Sequence, residues 1–395
     1  MITSLRSAFS GVLGSVPDRL SKAADVARVF ELSRKLGWQV WKVVSATDPL
    51  TASQHLPGAA AIEVFLDAAQ KKGASGDAIA RARAALGRLD ALVTTHAGDR
   101  SSLDMMLGAL AHEGRDQADE HHRRTAFRGN SSIWGCQLRT RLVTHVLRPS
   151  SDGERIDIAI VNGLFGLRRV REDVRRTLLS MGVRDALAAA DAKAARQTIG
   201  PGVVLDSCHP PAPLLGAFCS QPIPKLRAID HPDGYVALEV TEWPLGETGS
   251  ISVVTGELFP AFASRYRRAG DTHGNLVAHV NRPTEVLLHD VLVHESLFPS
   301  FAPEALVYSE LDRVARTARE RREEDRLPLA LSVERVGRGV EALGSTDVPQ
   351  APEMIASVLA QLGWPSEQFQ AHRLRVGYPV LPSAVILRFE LAERE

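Results

Sequence analysis

The hydrophobic period of the chain changes near residue 130, and this change constrains the fold more than any other feature of the sequence. Before it, apolar residues recur every three to four positions, as on one face of a helix. After it, many of them alternate with polar residues, as on one face of a strand. We therefore expect an α+β protein, with an all-helical domain over 1–115, a polar linker over 116–128 and a larger, mainly antiparallel α+β domain over 129–395.

Turn and breaker residues divide each part into elements. The spacing predicts helices over 21–44, 59–72, 77–93 and 102–111 in the first domain, and over 171–197, 303–322 and 351–362 in the second. It predicts strands over 138–147, 155–162, 235–242, 250–255, 276–280, 286–293 and 384–391. Turn residues at 148–153 join two strands with no helix between them, which is typical of an antiparallel sheet.

Charge and hydropathy exclude several functional classes. The chain has 47 Lys plus Arg and 47 Asp plus Glu, so its net charge is zero. This excludes a histone-like polybasic binder but leaves room for a local basic patch. No apolar run approaches the roughly 20 residues that span a bilayer, and no secretory signal pattern opens the chain. We therefore expect a cytoplasmic protein without a membrane partner.

Three common cofactor-binding and catalytic motifs are absent from the sequence. There is no phosphate-binding G-x-x-x-x-G-K-[ST], no dinucleotide-binding G-x-G-x-x-G after a strand and no G-x-S-x-G elbow. The three cysteines, Cys136, Cys208 and Cys219, have the spacing of neither a zinc motif nor a disulfide framework. We therefore expect no cofactor and no structural metal.

The motif that bears most directly on function lies near the N-terminus. Ala27 is small enough for two helices to cross closely, and Leu32 can pack between them. Ser33 can cap the second helix by accepting a hydrogen bond from its free amides. Together with Glu31 in the turn and Val40 as a later apolar anchor, these residues stand at the offsets of a helix-turn-helix.

Residues 24–41 thus resemble the helix-turn-helix of bacterial DNA-binding regulators. The resemblance implies that the second helix enters the major groove of double-stranded DNA with its first turn leading. Gln39, one turn further on, could then reach a base edge. The residues that this helix would present to DNA are Ser33, Arg34, Lys35, Gln39 and Lys42.

Some positions depart from that pattern. Glu31 takes the turn position that glycine usually occupies and must adopt a left-handed backbone. Gly37 replaces a common apolar anchor and weakens the helix by about 1 kcal/mol. The alternative is a pair of core helices, and two tryptophans separate the cases. If the helix reads DNA, Trp38 is partly exposed and Trp41 is buried against the helix that starts near Ile62; in a core pair both are buried.

A second basic stretch runs from residue 121 to residue 151 without an acidic residue. It also contains aromatic side chains, Phe127 and Trp134, and such a mixture suits a phosphate backbone or a single strand. The alternative is that its arginines pair with carboxylates elsewhere or face water. The candidate phosphate-binding residues are Arg123, Arg124, Arg128, Arg139 and Arg141.

Clustered histidines raise a competing metal hypothesis. His273, His279, His289 and His294 lie close together in sequence with several carboxylates, but without the H-E-x-x-H spacing. On a strand, Asp290 and His294 would share a face while His289 points the other way. The spacing therefore does not favour a metal.

The preferred interpretation is a DNA-binding transcriptional regulator that acts as a homo-oligomer, with a second domain that senses a ligand or dimerises. The first alternative is a hydrolytic enzyme, metal-assisted or not, with its site near residues 273–295. The second is a structural or self-assembling protein. A regulator needs its reading helix exposed, an enzyme needs titratable groups that converge in a pocket, and an assembly protein needs a self-complementary surface.

Overall fold

The structure is a computed structural model that describes residues 2–18, 20–110, 115–173, 177–182, 196–207, 209–231, 235–298, 300–311 and 323–394. The chain divides into two compact units, Met1–Asp119 and Glu120–Glu395. Most helices belong to the first unit and a larger, sheet-rich unit follows, so the predicted α+β class is confirmed.

Within its described residues, the first unit is helical throughout. Three predicted helices, 59–72, 77–93 and 102–111, agree with the observed ones to within two residues over the described part of the chain, and the predicted helix 21–44 is divided by a turn. The helices are α1 (Ile2–Gly14), α2 (Ala23–Val29), α3 (Arg34–Ser45), α4 (Pro49–Gln54), α5 (Ala59–Lys71), α6 (Gly76–Leu92) and α7 (Arg100–Leu110). A single π-helical turn, Val93–Ala97, follows α6.

Three fully buried phenylalanines form the centre of the first unit. The ring of Phe65 on α5 lies edge-on to those of Phe9 on α1 and Phe30 after α2, with ring centroids 5.4 and 5.6 Å apart. Such pairs contribute roughly 0.5–1.5 kcal/mol each beyond the burial of their surface. Because Phe30 directly follows α2, this packing fixes the point where the chain turns towards α3.

Helix α8 (Arg115–Trp134) corrects one prediction. The division between the two units falls between Asp119 and Glu120, inside the 116–128 segment that was predicted to be the linker, but this segment is part of α8 rather than an irregular connection. The stretch is polar yet contains no proline, and Glu120 precedes Arg124 by four residues, a spacing that supports a helix. The polar stretch therefore contains the division between the units, but its polarity did not indicate that it is helical.

The second unit contains thirteen described strands and one further α-helix, α9 (Ala351–Leu362). The strands are β1 (Cys136–Pro149), β2 (Arg155–Arg169), β3 (Thr177–Gly182), β4 (Gln197–Thr198), β5 (Leu226–Asp230), β6 (Tyr235–Val240), β7 (Ile251–Ser264), β8 (His273–Val280), β9 (Thr284–His294), β10 (Glu304–Ser309), β11 (Glu334–Arg338), β12 (Phe369–Gly377) and β13 (Ser383–Glu390). The seven predicted strands and the predicted helix 351–362 are all among these elements.

The described strands form three sheets. The large sheet has the order β11-β12-β9-β1-β2-β7-β4, and the two smaller ones have the orders β10-β13-β8 and β3-β6-β5. Strands β1 and β9 are parallel, whereas the other pairs in the described sheets are antiparallel, as expected.

The large sheet is covered on both faces, which explains its long, nearly continuous apolar strands. One face packs against α9 through Leu142, Leu288, Met354 and Val358. The other packs against the sheet β10-β13-β8 through Val143, Leu287, Val291, Val385 and Leu387.

Two helix predictions in this unit were wrong in their described parts. Of the predicted helix 171–197, residues 177–182 form β3, and 183–195 lie outside the described residues. Of the predicted helix 303–322, residues 304–309 form β10, and 312–322 lie outside them. Pairing with β6 and β13 over these segments overrides their local helical preference.

Candidate nucleic-acid interface

Helices α2 and α3 are joined by a tight turn. Glu31 adopts the left-handed conformation that the sequence requires of it, with φ 56°. The backbone amide of Leu32 then donates to the carbonyl of Ala27 at 2.9 Å. The Nζ of Lys72 lies 2.6 Å from the Glu31 carboxylate, and Lys72 holds the pKa of Glu31 below its usual value. Both of these side chains are exposed, so this ion pair adds little stability.

Ser33 begins the second helix of the pair. Its Oγ accepts a hydrogen bond from the backbone amide of Leu36 at 3.2 Å, which satisfies one of the free donors at the N-terminus of α3. The capping role predicted for Ser33 is therefore present in the structure.

Helices α2 and α3 cross at two small residues. A Cβ atom added to Gly37 would lie 2.7 Å from the Cβ of Ala27 and 2.8 Å from its Cα. Carbon atoms in ordinary contact are about 3.5–4.0 Å apart. Gly37 is therefore the residue that lets the backbones approach, which gives a physical reason for its departure from the usual pattern.

The outer face of α3 is cationic and contains no acidic residue. Arg34, Lys35 and Lys42 are exposed, and none of them forms an ion pair or a hydrogen bond through its side chain with a described residue. Gln39 is half-buried. Because no carboxylate of the described residues pairs with these charges, they are free to interact with an external anion.

Trp38 lies on the same outer face and is 44% exposed. The Nζ of Lys42 lies 5.9 Å from the centroid of its ring, and the ring of His55 meets it edge-on with centroids 5.1 Å apart. Burial, and then Lys42, lower the pKa of His55, so this imidazole is neutral at pH 7. Trp41, by contrast, is partly buried and packs against the core cluster that contains Ile62.

The five arginines of the second basic stretch lie on two elements. Arg123, Arg124 and Arg128 are on α8, where Arg124 covers the ring of Tyr378 and Arg123 is half-buried. Arg139 and Arg141 are on β1. Arg139 is exposed, whereas Arg141 is half-buried and donates to Asn162 Oδ1 at 2.8 Å.

The histidines of the competing metal hypothesis lie in separate surroundings. His273 contacts Thr272, His279 contacts Glu310, and His294 contacts Ser296 and Gln368. Among the described residues, no three histidine, cysteine, aspartate or glutamate side chains converge as metal ligands.

His289 instead forms a buried pair inside the large sheet. Its Nε2 lies 3.1 Å from Nδ1 of His145, and the two rings are 0% and 4% exposed. Burial lowers the pKa of His145 to about 3 and lowers that of His289 well below its ordinary value. Both imidazoles are therefore neutral at pH 7, and they are almost completely shielded from solvent.

A buried ion pair lies on the opposite face of the same sheet. The guanidinium of Arg373 on β12 forms two hydrogen bonds of 2.7 Å with the carboxylate of Asp290 on β9. The sequence singled out His289 and Asp290, but it gave no sign of their partners His145 and Arg373, which strand pairing brings to them. All four side chains are almost fully enclosed, so they offer little surface to a substrate.

No protein-family model and no curated protein matches this chain. Among the described residues, no helix is both long enough and apolar enough to cross a bilayer. The case for a function therefore rests on the geometry of the sites described above.

Proposed function

We propose that this protein is a transcriptional regulator that binds double-stranded DNA through α3. The observation that carries the proposal is the outer face of α3, where Arg34, Lys35 and Lys42 are exposed, have no described ion-pair partner and flank the exposed indole of Trp38. The second unit would sense a ligand or dimerise. We also propose a cytoplasmic location, as for the bacterial regulators that residues 24–41 resemble.

The geometry of the α2–α3 pair supports this role. The capped N-terminus of α3 carries Arg34 and Lys35 in its first turn, where the free amides of the helix also favour an anion. Lys42 lies two turns further on and could contact a second phosphate. Gln39 is half-buried and would read a base edge through the exposed part of its carboxamide.

The expected salt dependence follows from the three cations. If each neutralises one phosphate, the slope of log affinity against log salt concentration is about −2.7. Affinity then falls by about 40-fold between 50 and 200 mM salt. Removing one of these cations reduces the slope by about 0.9 and weakens binding to all sequences alike.

Fluorescence anisotropy of labelled duplexes at several salt concentrations tests the proposal. We expect Arg34→Ala and Lys35→Ala each to weaken binding and to reduce the slope. The matched control is Arg81→Ala, which removes from α6 in the same unit an exposed cation that forms no ion pair with a described residue. Binding that is unchanged by both α3 variants, or that Arg81→Ala weakens equally, would show that α3 is not the DNA-binding element.

The proposal includes a homo-oligomer, because two copies of such a helix read two half-sites about one helical turn of DNA, roughly 34 Å, apart. A symmetric protein then prefers a palindromic site. Selection of binding sequences from a random duplex pool tests this point, together with light scattering of the complex. We expect inverted repeats and two protein copies per duplex; a single copy on an asymmetric site would contradict the oligomer.

A further inference from the structure

We propose that the second unit binds a small carboxylate with a short apolar body, in a cavity between α8 and the ends of three strands. The cavity has a volume of about 70 Å³. It is lined by Arg123, Ala126, Phe127, Asn130, Pro283, Thr284, Pro379, Val380 and Leu381. All of these residues belong to the second unit, and the inference does not depend on DNA binding by α3.

The anion-binding group of this site is Arg123. It is the one charged residue among those described around the cavity, and its Nε is buried without a hydrogen-bond partner. No described carboxylate forms an ion pair with it. A buried guanidinium nitrogen without a partner is unfavourable, because its hydration is lost and nothing replaces it. Nε itself has no surface open to the cavity, so an anion seated there would pair with the rest of the same guanidinium, over which the positive charge is delocalised.

The walls indicate which anion fits. Six of the nine lining residues are apolar, and Phe127 and Leu381 are the largest of them. The hydroxyl of Thr284 donates to the carbonyl of Arg282 and is not a free donor for an anion. A phosphate or sulfate needs polar groups on every side, whereas a carboxylate needs them at one end only. The planar fork of a guanidinium also matches the two oxygens of a carboxylate.

The volume limits the size of the apolar body. A dry apolar cavity of about 150 Å³ accommodates benzene, so this one, at about half that volume, holds a body of three or four carbons. Isobutyrate has this size and shape. A ligand of about six non-hydrogen atoms has little surface with which to bind, and we expect a Kd on the order of 1 mM.

Ligand-detected NMR with the full-length protein tests the site. We expect saturation transfer to the methyl groups of isobutyrate. Isobutyramide, which has the same shape without the charge, should bind at least about tenfold more weakly because it cannot pair with the guanidinium. Sulfate should not displace isobutyrate at equal concentration. Equal binding of the amide, equal competition by sulfate, or no binding of any carboxylate would each overturn the proposal.

Two variants locate the binding to this cavity. Arg123→Met should abolish it, whereas Arg124→Met, which removes the same charge one position along α8, should leave it unchanged within about twofold. Ala126→Leu retains the charge but fills the cavity from an exposed helical position, and it should also abolish binding. Circular dichroism shows that each variant is folded. Equal loss in both arginine variants, or full binding by Ala126→Leu, would assign the effect to something other than this cavity.

Discussion

A glycine in the middle of a helix normally destabilises a protein, but Gly37 should do the opposite. Replacing a helical glycine by alanine gains about 1 kcal/mol of stability where the new methyl group meets nothing. At Gly37 that methyl group would lie 2.7 Å from the Cβ of Ala27, with backbone atoms of Ala27 at 2.8 Å. Helices α2 and α3 would then have to separate by about 1 Å to restore ordinary contact.

The two effects can be compared in magnitude. Overpacking of this kind costs about 1–3 kcal/mol, which exceeds the gain in helix propensity. We expect Gly37→Ala to lower the free energy of unfolding of the first unit by about 1 kcal/mol net. The matched control is Gly87→Ala in α6. Gly87 is exposed and a Cβ atom there would have nothing within 4 Å, so this change should raise the free energy by about 0.5–1 kcal/mol.

The assay is urea unfolding of the full-length protein. Hydrogen exchange is followed at each urea concentration in peptides from α2, α3 and α6, so that the first unit is observed separately from the second. The two alanine variants should differ by about 2 kcal/mol, with opposite signs relative to the parent protein. A Gly37→Ala variant as stable as Gly87→Ala would refute the close crossing of α2 and α3.

Three other predictions follow from single interactions. Ser33→Ala should lower the thermal stability of the first unit by about 1 kcal/mol, and Ser33→Gly by only a few tenths; equal losses would contradict the cap. His145 and His289 have folded pKa values below their unfolded ones, so stability should fall by up to about 1.4 kcal/mol per pH unit for each as the pH drops below about 6.5. The slope of the unfolding free energy against pH, measured by urea titrations at several pH values, should be smaller for His289→Gln than for the parent protein. Arg373→Met should cost about 3–5 kcal/mol by leaving the Asp290 carboxylate buried alone, and adding Asp290→Leu should recover much of the loss; an equally unstable double variant would contradict this account.

Local signals in the sequence were sufficient for the α2–α3 pair. Ser33 as a cap, Glu31 in a left-handed turn and Trp38 on the outer face each depend on residues within one or two turns of helix. Such interactions are encoded by spacing, so they can be inferred without knowing the rest of the fold. The fold class could be inferred for the same reason, because hydrophobic period is also a local property.

Interactions between distant segments could not be predicted in this way. The local pattern of residues 304–309 predicted a helix. These residues form strand β10 because they pair with β13, which comes later in the chain. The partner of His289 is His145, on a strand far earlier in the chain. The Arg123 cavity is likewise closed by residues 283–284 and 379–381, and no spacing in the sequence connects these with α8.

The parallel pairing of β1 with β9 has a consequence for the order in which this protein can fold during synthesis. Strand β2 follows β1 directly, and the two can form a hairpin as soon as both are synthesised. The other edge of β1 pairs with β9, beginning with Leu138 opposite Thr284, and stays unpaired until β9 is synthesised. Closing so large a loop is slow because its entropy must be lost before the contacts form. Until the ribosome has released β9, the free edge of β1 is an open template for pairing with other chains, and the free edge of β9 then stays open until β12 pairs with it. The nascent second unit should therefore depend on chaperones up to the last quarter of its sequence, whereas the helical first unit, with its local contacts, should fold as it emerges.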